Sequence, residues 1–175
     1  RSDRFRDSFD YIERMWEDAP AFQNCYGSPH GGMDMLPKPT TGRLPLLITG
    51  GSQQDPHWIV RHGDGWITYP RELATRARII GDWRAHVEAV GGPAKPAAQS
   101  LYVDLSKDPQ TPPQPIHLGF RLGASHLRTY LKSLEAIGVN HVALNLRFNQ
   151  ADTEETMQRL AVDILPEFSR PNFTE

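Results

Sequence analysis

Cysteine occurs once in the 175 residues, at Cys25, so the chain has no internal disulfide framework and no thiolate cluster for a metal. The seven histidines, His30, His57, His62, His86, His117, His126 and His141, show neither H-x-H nor H-E-x-x-H spacing, and no metal is expected. No serine stands in G-x-S-x-G, which removes a hydrolase elbow. No apolar run approaches the ~20 residues that span a bilayer. The first ten residues, RSDRFRDSFD, are polar where a secretory signal would be apolar. There is no block of one charge either: 19 basic residues are scattered among 21 acidic ones for a net charge of -2. These absences exclude the electrostatic footprint of a nucleic-acid or anionic-membrane binder, and the expected location is cytoplasmic.

What is present is enough apolar content, 38%, for one core, and a single domain over residues 1–175 is the expectation. Phe5, Phe9, Ile12 and Trp16 share one face of a helix over 2–16, with Ser2 or Asp3 placed to cap it. Residues 17–44 are dense in Gly and Pro and read as a long loop, functional or poorly ordered. After it, strands and helices alternate. Strands are expected at 46–49, 66–69, 101–105 and 141–146, with an extended piece at 116–120 after the Pro-rich stretch KDPQTPPQP.

Helices are expected at 56–62, closed by Gly63, and at 71–90, with Leu73, Ala77, Ile80, Trp83, Val87 and Val90 on one stripe. A further helix is capped by Ser125 and stopped by Gly138. A last one is capped by Asp152 and buries Met157, Leu160, Ala161 and Ile164. Strands separated by helices imply parallel pairing, in either an open doubly wound sheet or a (βα)8 barrel. A full barrel takes ~250 residues, so a barrel here amounts to about half of one.

Ligands of parallel α/β proteins sit at the carboxyl ends of the strands. The first strand delivers Gly50, Gly51, Ser52 and Gln53, just before an Asp55-Pro56 helix start. This corner either turns the chain or holds an anion such as a phosphate on its backbone amides, with the Ser52 hydroxyl as a further donor. It is neither a Walker loop nor G-x-G-x-x-G. The second strand brings Trp66, Tyr69 and Arg71. Trp66 reads equally as core packing or as the wall of a planar cofactor, and Arg71 suits an acidic group. The fourth strand ends in Asn145, Arg147 and Asn149, polar groups in the right place for a substrate. Cys25 reads as a loop nucleophile or as incidental. No acid–base pair is recognisable, so no catalytic residue is assigned.

The stretch PLLITGGSQQDPHWIVRHGDGWITYPR resembles the bacterial luciferase-like flavin monooxygenases, with an apolar strand, a Gly-Gly-Ser turn, a short helix and a GDGW-type strand. RFRDSFDYIERMW, LPKPTTGRLP, HLGFRLGASHLRTYLKSLEAIGVNHVALNLRF and ETMQRLAVDILPEF extend the similarity along the chain. The resemblance implies a (βα)8 barrel that binds FMN, or in some branches the deazaflavin F420, and acts on an organic substrate with oxygen. It places Gly51 and Ser52 at the turn that holds the flavin phosphate and Trp66 near the ring system. Where Asp55 stands, related turns often carry a hydroxyl or small residue.

The family's first strands have no counterpart before Arg1. The chain is therefore expected to be the C-terminal part of a longer enzyme, completed by a missing N-terminal half or by homo-oligomer formation. A truncated non-catalytic flavin-binding or assembly subunit and an F420-dependent oxidoreductase are the alternatives.

Overall fold

The computed structural model describes residues 1–29 and 34–168; His30 lies outside the described residues. The chain forms two compact units, 1–66 and 67–175.

In the first unit, α1 (Ser2–Arg14) turns Phe5 and Phe9 toward Trp58 of α2 (Pro56–His62). The rings meet edge to face, with centroids 5.8 and 5.4 Å apart, the arrangement that aromatic quadrupoles favour. The cap of α1 is Arg1 and carries no side-chain hydrogen bond, so Ser2 and Asp3 lie inside the helix rather than ahead of it. Asp3 still complements the helix dipole from the first turn.

The described part of the long loop is fastened by charge. Lys38 Nζ donates to the carbonyls of Met15 and Glu17 and pairs with Asp34. Arg43 bridges Asp64 at 2.9 Å and Glu13 at 3.2 Å. Two neighbouring strands follow, β1 (Leu47–Thr49) and β2 (Gly65–Thr68), the second ending in the other unit. Between them α2 begins as expected, with Asp55 Oδ1 accepting from the Trp58 amide at 2.9 Å, and closes at Gly63.

The second unit opens with α3 (Leu73–Val90), capped by Glu72, whose carboxylate accepts from the Ala74 and Thr75 amides at 3.0 Å each. Its buried stripe is Arg76, Ile80, Trp83 and Val87; Leu73 and Val90 are exposed at the two ends. Arg76 is fully buried because its stem fills the stripe, while its guanidinium bonds Thr68 Oγ1 and the Ala98 carbonyl.

The central strand, β3 (Ala97–Leu105), is longer than the apolar run 101–105 because Ala97, Ala98 and Gln99 are buried too. It pairs in parallel with β5 (Gly119–Leu122) on one side and β6 (His141–Asn145) on the other. The expected extended piece at 116–120 is a hairpin instead: β4 (Gln114–Ile116) runs antiparallel to β5, turned at Leu118 with φ +49°.

The helix after β5, α4 (Ala124–Ala136), starts two residues earlier than the Ser125 cap predicts. Gly123 is the cap, and a Cβ there would lie 2.2 Å from the Pro109 carbonyl oxygen. In α5 (Thr153–Asp163) the Asp152 cap is present, with Oδ1 accepting from Glu155 at 2.9 Å. The buried face is Thr156, Leu160 and Ile164, whereas Met157 is 59% exposed. A short α6 (Leu165–Phe168) follows. Pleat alternation sends Leu101, Val103 and Leu105 into a core with Leu122, Leu127, Leu131 and Leu160. The opposite face of β3 then carries Tyr102 and Asp104.

No helix among the described residues is long and apolar enough to cross a membrane, and no group of His, Cys, Asp and Glu among them could hold a metal ion.

Candidate functional site

The corner after β1 is built on left-handed backbone. Gly50 has φ +60°, Ser52 +47° and Gln53 +56°. For a non-glycine residue that conformation costs on the order of 1 kcal/mol, and such outliers gather at functional turns. Gly51 needs no special φ, and a Cβ there would meet nothing within 4 Å, so its space faces outward.

Each carbonyl from Thr49 to Ser52 has a donor from within the chain. Thr49 O accepts the Ser52 hydroxyl at 2.9 Å, Gly50 O the Trp66 indole N–H at 2.6 Å, and Gly51 O the Gln54 amide at 2.8 Å. Ser52 O accepts Gln54 Nε2 at 3.2 Å. The backbone amides of Gly51, Ser52 and Gln53 donate to nothing among the described residues. From Thr49 to Ser52 the carbonyls are thus satisfied, while the amides of Gly51 to Gln53 are left as donors.

Two residues important here lie outside the sequence-derived set. Gln54, buried, also donates to Ser2 O and Ser2 Oγ at 3.0 Å each, and its Oε1 accepts from Arg6 Nε at 2.6 Å. Arg6 in turn lies 3.7 Å from Asp55 Oδ2. Some fifty residues of chain separate these partners, so no local spacing reveals them; the only local signal is an amide side chain directly after a glycine turn.

Asp55 is held below the usual carboxylate range, first by the Trp58 amide and also by the nearby Arg6 charge. It is ionised at neutral pH and its charge is already answered. The Ser52 hydroxyl, expected as an extra donor to an anion, has its single proton on Thr49 O and is not available for that purpose. Trp66 is half-buried with its N–H committed to Gly50, so it fixes the corner's shape.

Of the remaining sequence-predicted residues, Tyr69, Arg71, Arg147 and Asn149 belong to the second unit and Cys25 to the first. Tyr69 and Arg71 follow β2 and are exposed. Arg147 lies just past β6, its guanidinium 5.8 Å from the centroid of the Phe148 ring. Asn149 has a structural role instead: its Oδ1 accepts from the Leu105 amide, and its Nδ2 donates to Ala151 O and Thr156 Oγ1. Cys25 is exposed, and the Asp7 carboxylate that accepts its S–H raises the thiol pKa, which disfavours the thiolate a nucleophile requires.

With this geometry in hand, a family model for luciferase-like monooxygenases matches residues 1–110. The chain belongs to the luciferase-like monooxygenase family.

Curated relatives include uncharacterized proteins of Mycobacterium bovis and of Mycobacterium tuberculosis, each 28% identical over 74 residues, which is 42% of this chain and 26% of theirs. Among solved structures, an F420-dependent secondary alcohol dehydrogenase in complex with an F420-acetone adduct superposes with TM-score 0.72 at 14% identity, over 97% of this chain and 62% of its own. DmoA from Hyphomicrobium sulfonivorans gives 0.67 at 13% identity, over 94% and 55%. A long-chain alkane monooxygenase gives 0.65 at 10% identity, over 99% and 58%.

At such identities the structural likeness speaks for the fold: parallel strand-helix units making about half of a (βα)8 barrel, as the element count predicts. The chain spans about a quarter of the length of the curated relatives it matches and less than two thirds of these solved structures.

Proposed function

We propose that this chain supplies the phosphate-binding end of a flavin-type cofactor site in a luciferase-like oxidoreductase, with Gly51, Ser52 and Gln53 as the amide donors. The observation that carries the reading is the division of polar groups at the corner: the carbonyls from Thr49 to Ser52 are occupied from within, and the next amides are open. A run of N–H groups with no acceptor among the described residues suits a phosphate, because each bond to an anion is charge-assisted. Gly51 leaves room for close approach. Arg6 neutralises Asp55, so the helix cap does not repel the ligand.

FMN, the cofactor proposed here, would supply the redox chemistry when bound, and these residues bind and orient it. F420 is the second reading, favoured by the likeness to the F420-dependent alcohol dehydrogenase. Both present a phosphate-bearing side chain to such a corner. The substrate we propose is a small organic molecule, with oxygen as co-substrate, met by Tyr69, Arg71 and Arg147. We propose that the water-free pocket over the ring is completed by further barrel strands, from a longer protein or an associated chain.

The direct test is an amide-resolved titration of the labelled chain with FMN and with inorganic phosphate. The Gly51, Ser52 and Gln53 resonances are expected to move first and saturate together with either ligand. If they stay fixed while other amides respond to FMN, the corner is a turn and the assignment fails.

A further inference from the structure

The second unit carries another cleft, at the carboxyl ends of β3 and β5 and beside the segment after β6. It encloses about 440 Å³, within the ~300–1,000 Å³ of small-molecule sites. Asp104 and Arg121 face each other as register partners on β3 and β5.

Asp104 is 4% exposed; its Oδ1 accepts the Gln150 amide at 3.0 Å, and its Oδ2 lies 3.8 Å from Arg121 Nε. Arg121 Nη1 donates to Gln150 Oε1 at 3.1 Å, which pins the guanidinium from behind. Its Nη2 makes no hydrogen bond among the described residues, and the side chain is 42% exposed. With Nε turned to Asp104 and Nη1 on Gln150, Nη2 is the free end of a held guanidinium, placed to donate to a carboxylate.

The walls are mixed, with Gln114 and His117 lining the cleft beside Pro115, Ile116 and Phe148. The ring of Phe148, a residue 40% exposed, lies 5.0 Å from Tyr102 and 6.1 Å from His117 and gives the cleft a flat apolar surface. Arg147 lies over Phe148 and adds a second guanidinium beside the cleft. One buried carboxylate, already partnered, thus stands against two cations, and the balance favours an anion.

We propose that this cleft binds a small organic carboxylate with an aromatic or similarly flat body, the carboxylate on Arg121 and the body against Phe148. The inference is independent of the cofactor corner, since it rests on different residues and reports on different amides.

Benzoate is the probe, with benzamide as its neutral isostere, titrated into the labelled chain. Benzoate should shift the Gln150 and Arg121 resonances and bind at least tenfold more tightly than benzamide. Arg121→Gln should weaken benzoate at least tenfold, and Arg121→Lys, which keeps the charge but loses the fork, should weaken it by less. Equal binding of the two probes, or shifts confined to other regions, would overturn the proposal. Should Arg121→Gln fail to fold, the wild-type comparison of benzoate with benzamide decides alone.

Discussion

The indole N–H of Trp66 donates to the carbonyl of Gly50 at 2.6 Å, tying the second strand to the turn that ends the first. A half-buried carbonyl left without its donor costs about 1–2 kcal/mol. Trp66→Phe keeps most of the ring but removes the bond, so chemical denaturation should report a loss of that size. If the corner binds phosphate, the variant's affinity for FMN should fall as well.

Gln54 connects the turn to the start of α1 through Ser2, Ser52 and Arg6. Gln54→Leu fills a similar volume without a polar group and strands the partners. A loss of about 2 kcal/mol is expected in urea unfolding. Equal stability would mean that the bonds in this network contribute nothing net.

Gly119 pairs with Tyr102 across β3 and β5, and a Cβ at this position would lie 1.8 Å from the Tyr102 carbonyl oxygen. Backbone cannot yield as a flexible side chain does. Gly119→Ala should therefore destabilise the chain by about 3 kcal/mol, beyond the usual cost of overpacking, and calorimetry would show it as a lowered Tm.

Asp55 and Glu72 are both depressed carboxylates, Asp55 first by the Trp58 amide and Glu72 first by the Ala74 amide. A depressed folded value means stability that is present above the ordinary carboxylate pKa and lost as pH falls through the depressed one. Stability should thus hold from neutral pH down to about 4 and decline below it. Glu72→Gln should flatten part of that decline while leaving the FMN response of the corner unchanged. A Tm-against-pH series for wild type and variant checks both statements.

Local signals were legible where the chain decides its own structure. Asp55-Pro56 starts α2 and Asp152 caps α5, because each cap needs only a side-chain oxygen two or three residues from the amide it serves. Burial that depends on distant elements was not legible. Arg76 displaces the ends of the predicted apolar stripe since its acceptors come from Thr68 and Ala98. Thr156 is buried in place of Met157 because Asn149 and the Asp152 carbonyl satisfy its hydroxyl. The site followed the same rule. Gly50 to Gln53 stand out as glycine and polar residues after an apolar run, while Gln54 and Arg6 contribute through contacts that span the unit.

The proposed phosphate contact of the Gly51–Gln53 amides is isolated by comparing the chain's affinity for FMN with that for riboflavin, which lacks only the phosphate. FMN is expected to bind at least tenfold more tightly, worth about 1.4 kcal/mol, and Gly51→Glu is expected to remove the difference without unfolding the chain. Equal affinity for the two flavins, or an undiminished preference for FMN in Gly51→Glu, would contradict it.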